Sequence, residues 1–433
     1  VDLPEPVGAA QRSRSRKGAV RRLLRTNPHF RRLFLAEVVS FAGDWFLFVA
    51  LAGLVFSLTH SAILVTAVYA SLTVPFAIFS FVGGPLADRW NRKFLMIGAD
   101  LSRGLLALGF FFIHRPSQVW MVYLLAGLIT ALGAVFEPAA LAAVPNLVDR
   151  EDLATANVLS GATWGTMLAI GAAAGGLVVA AFGRGAAYAG DSASFIVSAL
   201  VILQIRRPFA ERREPESKHP GVVEATREAV RFARRDHRVL ALLVVKGGSG
   251  LGAGVVALLP LLSFQAFHAG DRGTGILYGF RGLGVLIGPF LARRLISSEE
   301  LPGIFSTISL ALGLWGLSYA VVAWMPSIYL AGAFVLLGHL GGGAQWTLST
   351  YGLQLLVPDA IRGRIFAFDE AMITFTIAVS ALAAGAVASV VSVKIVMVGL
   401  ACITVAYAAV WTLATRSVRR SLRDATGKAA PAG

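Results

Sequence analysis

Twelve long apolar stretches decide what this chain can become. They run at about 33–57, 61–85, 94–114, 118–141, 158–182 and 186–205, and again at about 239–265, 273–296, 303–324, 328–350, 364–391 and 395–415. Each reaches the roughly 20 residues an α-helix needs to cross the hydrocarbon core of a bilayer. With 56% hydrophobic and 15% charged residues in 433, the chain lies far from the composition of soluble domains. The expected fold class is an all-α polytopic membrane protein with twelve transmembrane helices in two sets of six. The expected organisation is a basic N-terminal segment (1–30), a six-helix bundle (31–206), a linker (207–238), a second six-helix bundle (239–416) and a tail (417–433). The Arg-rich start precedes a run long enough to span, so no cleavable signal peptide is expected.

The distribution of Lys and Arg sets the orientation. If both termini lie on one side, that side receives 32 of the 39 cations, the opposite side four (Arg115, Arg184, Arg272, Lys394), and three fall inside helices (Arg103, Lys246, Arg281). Both termini are therefore expected in the cytoplasm. Topology accounts for the net charge of +15, and the basic segments read as contacts with anionic lipid on the cytoplasmic face rather than with nucleic acid. Residues 222–238, apolar on one face and carrying five Arg, predict an amphipathic helix on the membrane surface. The lone cysteine, Cys402, excludes a disulfide framework or a Cys-based metal site.

The two sets of six look duplicated. Gly84-Pro85-Leu86-Ala87-Asp88-Arg89 after the second run has a counterpart 204 residues on, Gly288-Pro289-Phe290-Leu291-Ala292-Arg293, and Val144-Pro145 is echoed by Val357-Pro358. Two similar bundles can rock about a site at their interface, which is a physical means of transport.

The loop Gly83–Lys93 resembles the G-x-L-A-D-R-x-G-R-K loop of the major facilitator superfamily. Gly84, Leu86, Ala87, Asp88, Arg89, Arg92 and Lys93 fall on that pattern, and Asn91 replaces its second glycine, Asn being tolerant of a left-handed turn. Phe136-Glu137-Pro138-Ala139-Ala140, Pro145-Asn146-Leu147, Leu153-Ala154-Thr155-Ala156-Asn157 and Arg362-Gly363-Arg364 are similar to the macrolide-efflux and enterobactin-exporter branch. The resemblance covers about 30–415. It implies the major facilitator fold with pseudo-symmetric halves, and a gating loop formed by Gly84, Asp88, Arg89, Arg92 and Lys93. In that reading Asp88 caps a helix and the cations face lipid phosphates or acidic partners. Gly171-Ala172-Ala173-Ala174-Gly175-Gly176 resembles the G-P-x-x-G-G element of drug exporters without its proline. The spacing of Gly161/Gly165 and Gly171/Gly175 predicts close packing between helices of opposite halves.

Ionisable residues inside the runs are expensive in lipid and so point toward a cavity or a partner. Asp44 in the first run is the expected proton carrier, with Arg103, Arg281 or Lys246 as the competing structural partner, and Glu37 lies two turns before it. A carboxyl in a partly dry cavity can exchange a proton during a transport cycle. Asp100 and Arg103 share a helix face and are expected to neutralise each other as part of the cytoplasmic latch. Arg103 also stands in for the arginine that the superfamily carries on its fourth helix. Asp191 is expected near the outer end of its helix, solvated or in the transport path. Asp369 and Glu370 are expected in the first two turns of the eleventh helix, as capping or latch residues. Arg281 is expected to meet a carboxylate or an anionic substrate, and His339 to be a packing residue or a proton relay. Gln345, Trp346, Trp45 and Trp164 would suit a pocket for large amphipathic molecules.

No nucleotide-binding loop, zinc-protease motif or nucleophile elbow occurs, so an enzyme is not expected, and no cofactor or metal is implied. Without a nucleotide loop an ion gradient is the ordinary energy source. The expectation is a monomeric, proton-coupled exporter of hydrophobic or amphipathic small molecules such as drugs, macrolides or siderophore-like metabolites, in a bacterial inner membrane. Its alternatives are a flippase for lysophospholipid-like substrates and a membrane sensor or scaffold that does not transport.

Overall fold

The computed structural model describes residues 9–209, 222–295 and 301–428, which are helical with short connections. The first half contains α1 (Ala9–Thr26), α2 (Pro28–Thr59), α3 (Ala62–Arg89), α4 (Arg92–Leu108), α5 (Val119–Leu147), α6 (Leu153–Phe182) and α7 (Arg184–Leu203). After α8 (Val222–Arg235), the second half contains α9 (His237–Gly252), α10 (Gly254–Ala257), α11 (Leu259–Gln265), α12 (Gly270–Leu295), α13 (Leu301–Val322), α14 (Ile328–Leu356), α15 (Asp359–Ala388) and α16 (Val393–Ala414), followed by α17 (Arg416–Lys428). Twelve of these segments, with α9–α11 taken as one, are long and apolar enough to cross a membrane.

Local chemistry sets the ends. Asn27 caps α2, its Oδ1 accepting from the amides of His29 and Phe30 while its Nδ2 donates to the Leu147 carbonyl. Asn91 caps α4 in the same way, accepting from Lys93 and Phe94. Its φ of −65° means that the expected left-handed turn is absent. Asn serves here as an acceptor for orphan amides. Asp236 caps α9, and the hydrogen bond from the Arg238 side chain holds its carboxyl below the ordinary carboxylate range.

The seventh span is broken rather than continuous. It is rich in glycine, at Gly247, Gly248, Gly250, Gly252 and Gly254, and has a proline at Pro260. Ser380 of α15 repairs the break: its hydroxyl donates to the Leu251 carbonyl and accepts from the Gly254 amide, while Tyr278 of α12 donates to the Val256 carbonyl. Interruptions of this kind persist in membranes only where neighbouring side chains take over the freed backbone groups.

The halves meet along two helix pairs, α6 with α12 and α3 with α15. At the end of the bundle away from the termini, the distal face, both halves share one apolar core, with Leu47–Val55 and Val65 from the first half and Val255–Leu262 and Leu277 from the second. At the terminal face the core is divided. One cluster joins Leu23, Phe30, Met96, Phe136 and Ile202 of the first half, and another joins Val239, Ile304, Leu353 and Trp411 of the second. The amphipathic α8 belongs to the second cluster, burying Ala229 and Ala233 against that half rather than lying free on a membrane surface.

Glycines record the same divergence. A Cβ placed on Gly176 would stand 2.8 Å from Gly275 Cα, one on Gly165 would be 3.9 Å from Leu286, and one on Gly161 would meet nothing within 4 Å. Thus α6 touches α12 backbone to backbone near the distal face and leaves it toward the terminal face.

Candidate functional site

The first half places a cluster of acids around one guanidinium. Arg103 of α4 donates through Nη2 to both carboxylate oxygens of Asp44 on α2, at 2.7 and 2.8 Å, and through Nη1 to Ser40 Oγ at 3.1 Å. Asp100 lies 3.5 Å from Arg103 Nη1, and the Phe195 ring stacks under the guanidinium at 4.0 Å. Asp191 of α7 is fully buried with neither oxygen hydrogen-bonded. It abuts Gly43, whose missing side chain lets α7 approach α2: a Cβ there would stand 2.7 Å from Asp191 Oδ1. The expected solvated Asp191 is therefore corrected, because this close approach seals it from water. Glu137 of α5 is within Coulombic reach of Arg103 and Asp44. Glu37, nearly buried, accepts from Ser160 at 3.2 Å. Within the cluster the Asp44 side chain is 29% exposed, against 5% for Arg103 and 0% for Asp100, and Glu137 is also partly exposed; Asp44 is thus the partly open carboxylate that Arg103 directly holds. Asp100 sits two helical turns beyond Arg92 and belongs to this network. It is not part of a surface latch.

The second half has a simpler pair. Lys246 of α9 donates to Asp369 of α15 at 2.5 Å and to Thr350 at 2.9 Å, under the Trp346 ring at 4.8 Å. Helix α15 begins at Asp359, five residues earlier than expected, so Asp369 lies ten residues inside it and is no cap. Glu370 beside it is half-buried.

Between the halves, Arg281 of α12 is 8% exposed. Its Nε donates to His339 Nε2 at 3.3 Å and its Nη2 to the Tyr69 hydroxyl of α3 at 3.5 Å, while Nη1 is buried without a partner. The rings of Tyr278 and Trp45 stand 5.3 and 5.9 Å away. Because His339 Nε2 accepts, its Nδ1 donates to the Val335 carbonyl at 3.1 Å. This makes His339 a hydrogen-bonded support for Arg281. No carboxylate pairs with Arg281 among the described residues. A charge at a helix centre costs about 3 kcal/mol on insertion scales, and a cation–π contact returns roughly 0.5–2 kcal/mol. Two contacts near the outer limit of hydrogen bonding add little. Gln345 is buried with Nε2 unpartnered.

At the terminal face Arg92 Nη1 donates to the carbonyls of Ala142 and Phe209, and Lys93 Nζ to those of Leu203 and Ile205 at 2.8 Å each. These cations tie α4 to the C-terminal ends of α5 and α7, where the helix dipole favours positive charge. The side chains of Gly84's neighbours Asp88 and Arg89, and of Trp164, lie outside the described residues. Gly171 and Gly175 pack against Ala42, Trp45 and Phe46 of α2 in their own half, contrary to expectation, and of the three glycines of that element Gly176 is the one that meets the other half, beside Ala172 and Ala173. At the distal face Arg184 Nη2 donates to Asp271 across the halves at 3.0 Å.

A family model described as "Transmembrane secretion effector" matches residues 24–427. The chain belongs to this family of the major facilitator superfamily. Enterobactin exporters of Citrobacter koseri and Escherichia coli are each 28% identical to it over 356 residues, spanning 79% of this chain and 81% of theirs. Among solved structures, a bacterial homologue of the human lysosomal transporter Spinster, inward-facing and unoccupied, superposes with a TM-score of 0.66 at 15% identity, over 91% of this chain and 97% of that one. The nucleoside transporter NupG gives 0.68 at 14% identity, over 89% and 99%. At such identities the structures establish the fold.

For this secretion effector, sequence reading singled out Asp44, Arg103 and Arg281 and named Arg103 as a structural partner for Asp44 and Asp100, contacts that the structure contains. It missed the Lys246–Asp369 pairing, the Tyr69 and Tyr278 contacts of Arg281, and the glycines of α12. One signal was available: Gly275, Gly279 and Gly282 repeat every three to four residues along one face. A Cβ at Gly282 would stand 2.3 Å from the Ala169 amide nitrogen.

Proposed function

We propose that this transmembrane secretion effector is a proton-coupled exporter, an antiporter of hydrophobic or amphipathic small molecules, working by alternating access from a bacterial inner membrane. The observation that carries the reading is the Arg103 cluster: one guanidinium among Asp44, Asp100, Asp191 and Glu137, with Asp44 both held by Arg103 and partly exposed. One cation does not balance that many carboxyl groups in a low dielectric, so the charge is completed by protons, and Asp44 is where they enter and leave. The secretory character of the family and the exporter relatives support the direction of transport. The positive-inside distribution puts the terminal face in the cytoplasm, which makes the arrangement with a shared distal core an inward-facing one. Arg92 and Lys93 then hold α4, α5 and α7 as one body during rocking, with Gly84, Asp88 and Arg89 as the moving part of the gate.

The test uses everted membrane vesicles carrying a pH-sensitive dye. Addition of enterobactin, the substrate of the relatives, is expected to draw protons across the membrane with wild-type protein and to give no signal with Asp44→Asn. An unchanged proton flux in that variant removes Asp44 from the role.

A further inference from the structure

Arg281 stands apart from the other buried cations. Arg103 and Lys246 each have a carboxylate within 2.7 Å, whereas Arg281 has a neutral imidazole, a phenol at the edge of hydrogen-bond distance, and one buried nitrogen with no acceptor. Its surroundings come from both halves: Trp45 and Tyr69 from the first, Tyr278 and His339 from the second. Residue 281 lies eleven positions into α12, about 16 Å from the helix start at 1.5 Å per residue, which is mid-membrane. A guanidinium there lacks what it binds best, a planar bidentate anion. Flat rings on two sides favour a ligand whose charge is attached to a flat apolar body. His339 accepts from Nε and so fixes the guanidinium plane, leaving the Nη edge for the ligand. The 3.5 Å contact with Tyr69 is the weakest of the set and is the one a ligand would displace. Since Tyr69 and Trp45 move with the other half, occupation of this place would be felt in the rocking motion.

We propose that Arg281, framed by Trp45, Tyr69 and Tyr278 and supported by His339, is an anion subsite of the transport path, so that the exported molecule carries a carboxylate or phenolate beside an aromatic body. This rests on the exporter reading and narrows its substrate class.

The experiment compares 2-naphthoate with 2-naphthamide, which share a ring system and differ in charge, by isothermal titration against the full chain in detergent. Wild-type protein is expected to bind the acid at least ten-fold more tightly than the amide. Arg281→Gln is expected to bring the ratio near one by weakening the acid far more than the amide, and Arg281→Lys to keep part of the preference. Equal binding of the two probes by wild type, no binding of either up to millimolar concentration, or a ratio unchanged in Arg281→Gln overturns the proposal. The wild-type ratio needs no variant to fold. Failure of the export reading looks different: an Arg281-dependent preference for the acid without proton-linked flux in vesicles leaves the subsite standing and removes proton-coupled export, whereas flux of uncharged substrates without that preference does the reverse.

Discussion

The two halves share a helical plan and hold opposite charge logic. In the first, Asp44 on the opening span pairs with Arg103 on the third, and further acids crowd the same guanidinium. In the second, Lys246 on the opening span pairs with Asp369 on the fifth at 2.5 Å and donates also to Thr350, with Glu370 a further acid in Coulombic reach. Duplication thus preserved the scaffold while the polarity of the first span reversed. An over-supplied acid cluster is suited to exchanging protons, and a short, buried Lys–Asp pair is suited to fixing helices in register. In the proposed function, coupling falls to the first half and rigidity to the second.

The comparison can be broken most forcefully at Arg103. Arg103→Ala leaves Asp44 and Asp100 without their cation, and removing one partner of a buried pair costs about 3–5 kcal/mol. The protein is expected to lose transport and to melt at markedly lower temperature in detergent. The double variant Arg103→Met/Asp44→Leu is not expected to recover either property, because Asp100 and Asp191 remain. Near-normal transport in that double variant would show that the cluster is an ordinary ion pair.

The second half should answer differently. Lys246→Met and Asp369→Leu are each expected to destabilise by about 3–5 kcal/mol, but the two together should restore most of the melting temperature and of the transport. Replacing a whole buried pair by apolar side chains is often neutral. If the double variant is as inactive as the singles, the pair takes part in coupling and the division between halves fails.

The smallest effect is expected at the distal face, where Arg184 and Asp271 are partly exposed, 25% and 13%. Arg184→Ala should weaken closure by about 1 kcal/mol or less, a shift of at most roughly five-fold toward the distally open state. Spin labels at His60 and Val390, both exposed, in a Cys402→Ser background would read the shift as a longer distance population. An unchanged distribution would place the closing force wholly in the apolar core.

Much of this architecture was legible in the sequence because hydrophobic length is a one-dimensional property: all twelve spans coincide with the expected stretches, some running about six residues past them, as where caps such as Asn27 and Asp236 set the start. The broken seventh span was hidden because its repair comes from Ser380 and Tyr278, distant in the chain. The buried cations were visible as costly residues, but their partners depend on helix rotation and register. For that reason Asp44, Arg103 and Arg281 were singled out, while the pairing of Lys246 with Asp369 and the enclosure of Asp191 behind Gly43 came only from packing. Glycine spacing also misled at Gly171 and Gly175, since spacing shows that a helix approaches closely without showing which helix.

The shared distal core has a thermal consequence. Opening that side must separate Phe56 from Phe264, with ring centres 4.6 Å apart, and Phe48 from Tyr278, at 4.8 Å, and hydrate them. Hydrophobic association weakens on cooling, so the balance between the two facing states tilts with temperature: warmth holds the distal side shut, and cold lowers the resistance that each outward stroke has to overcome.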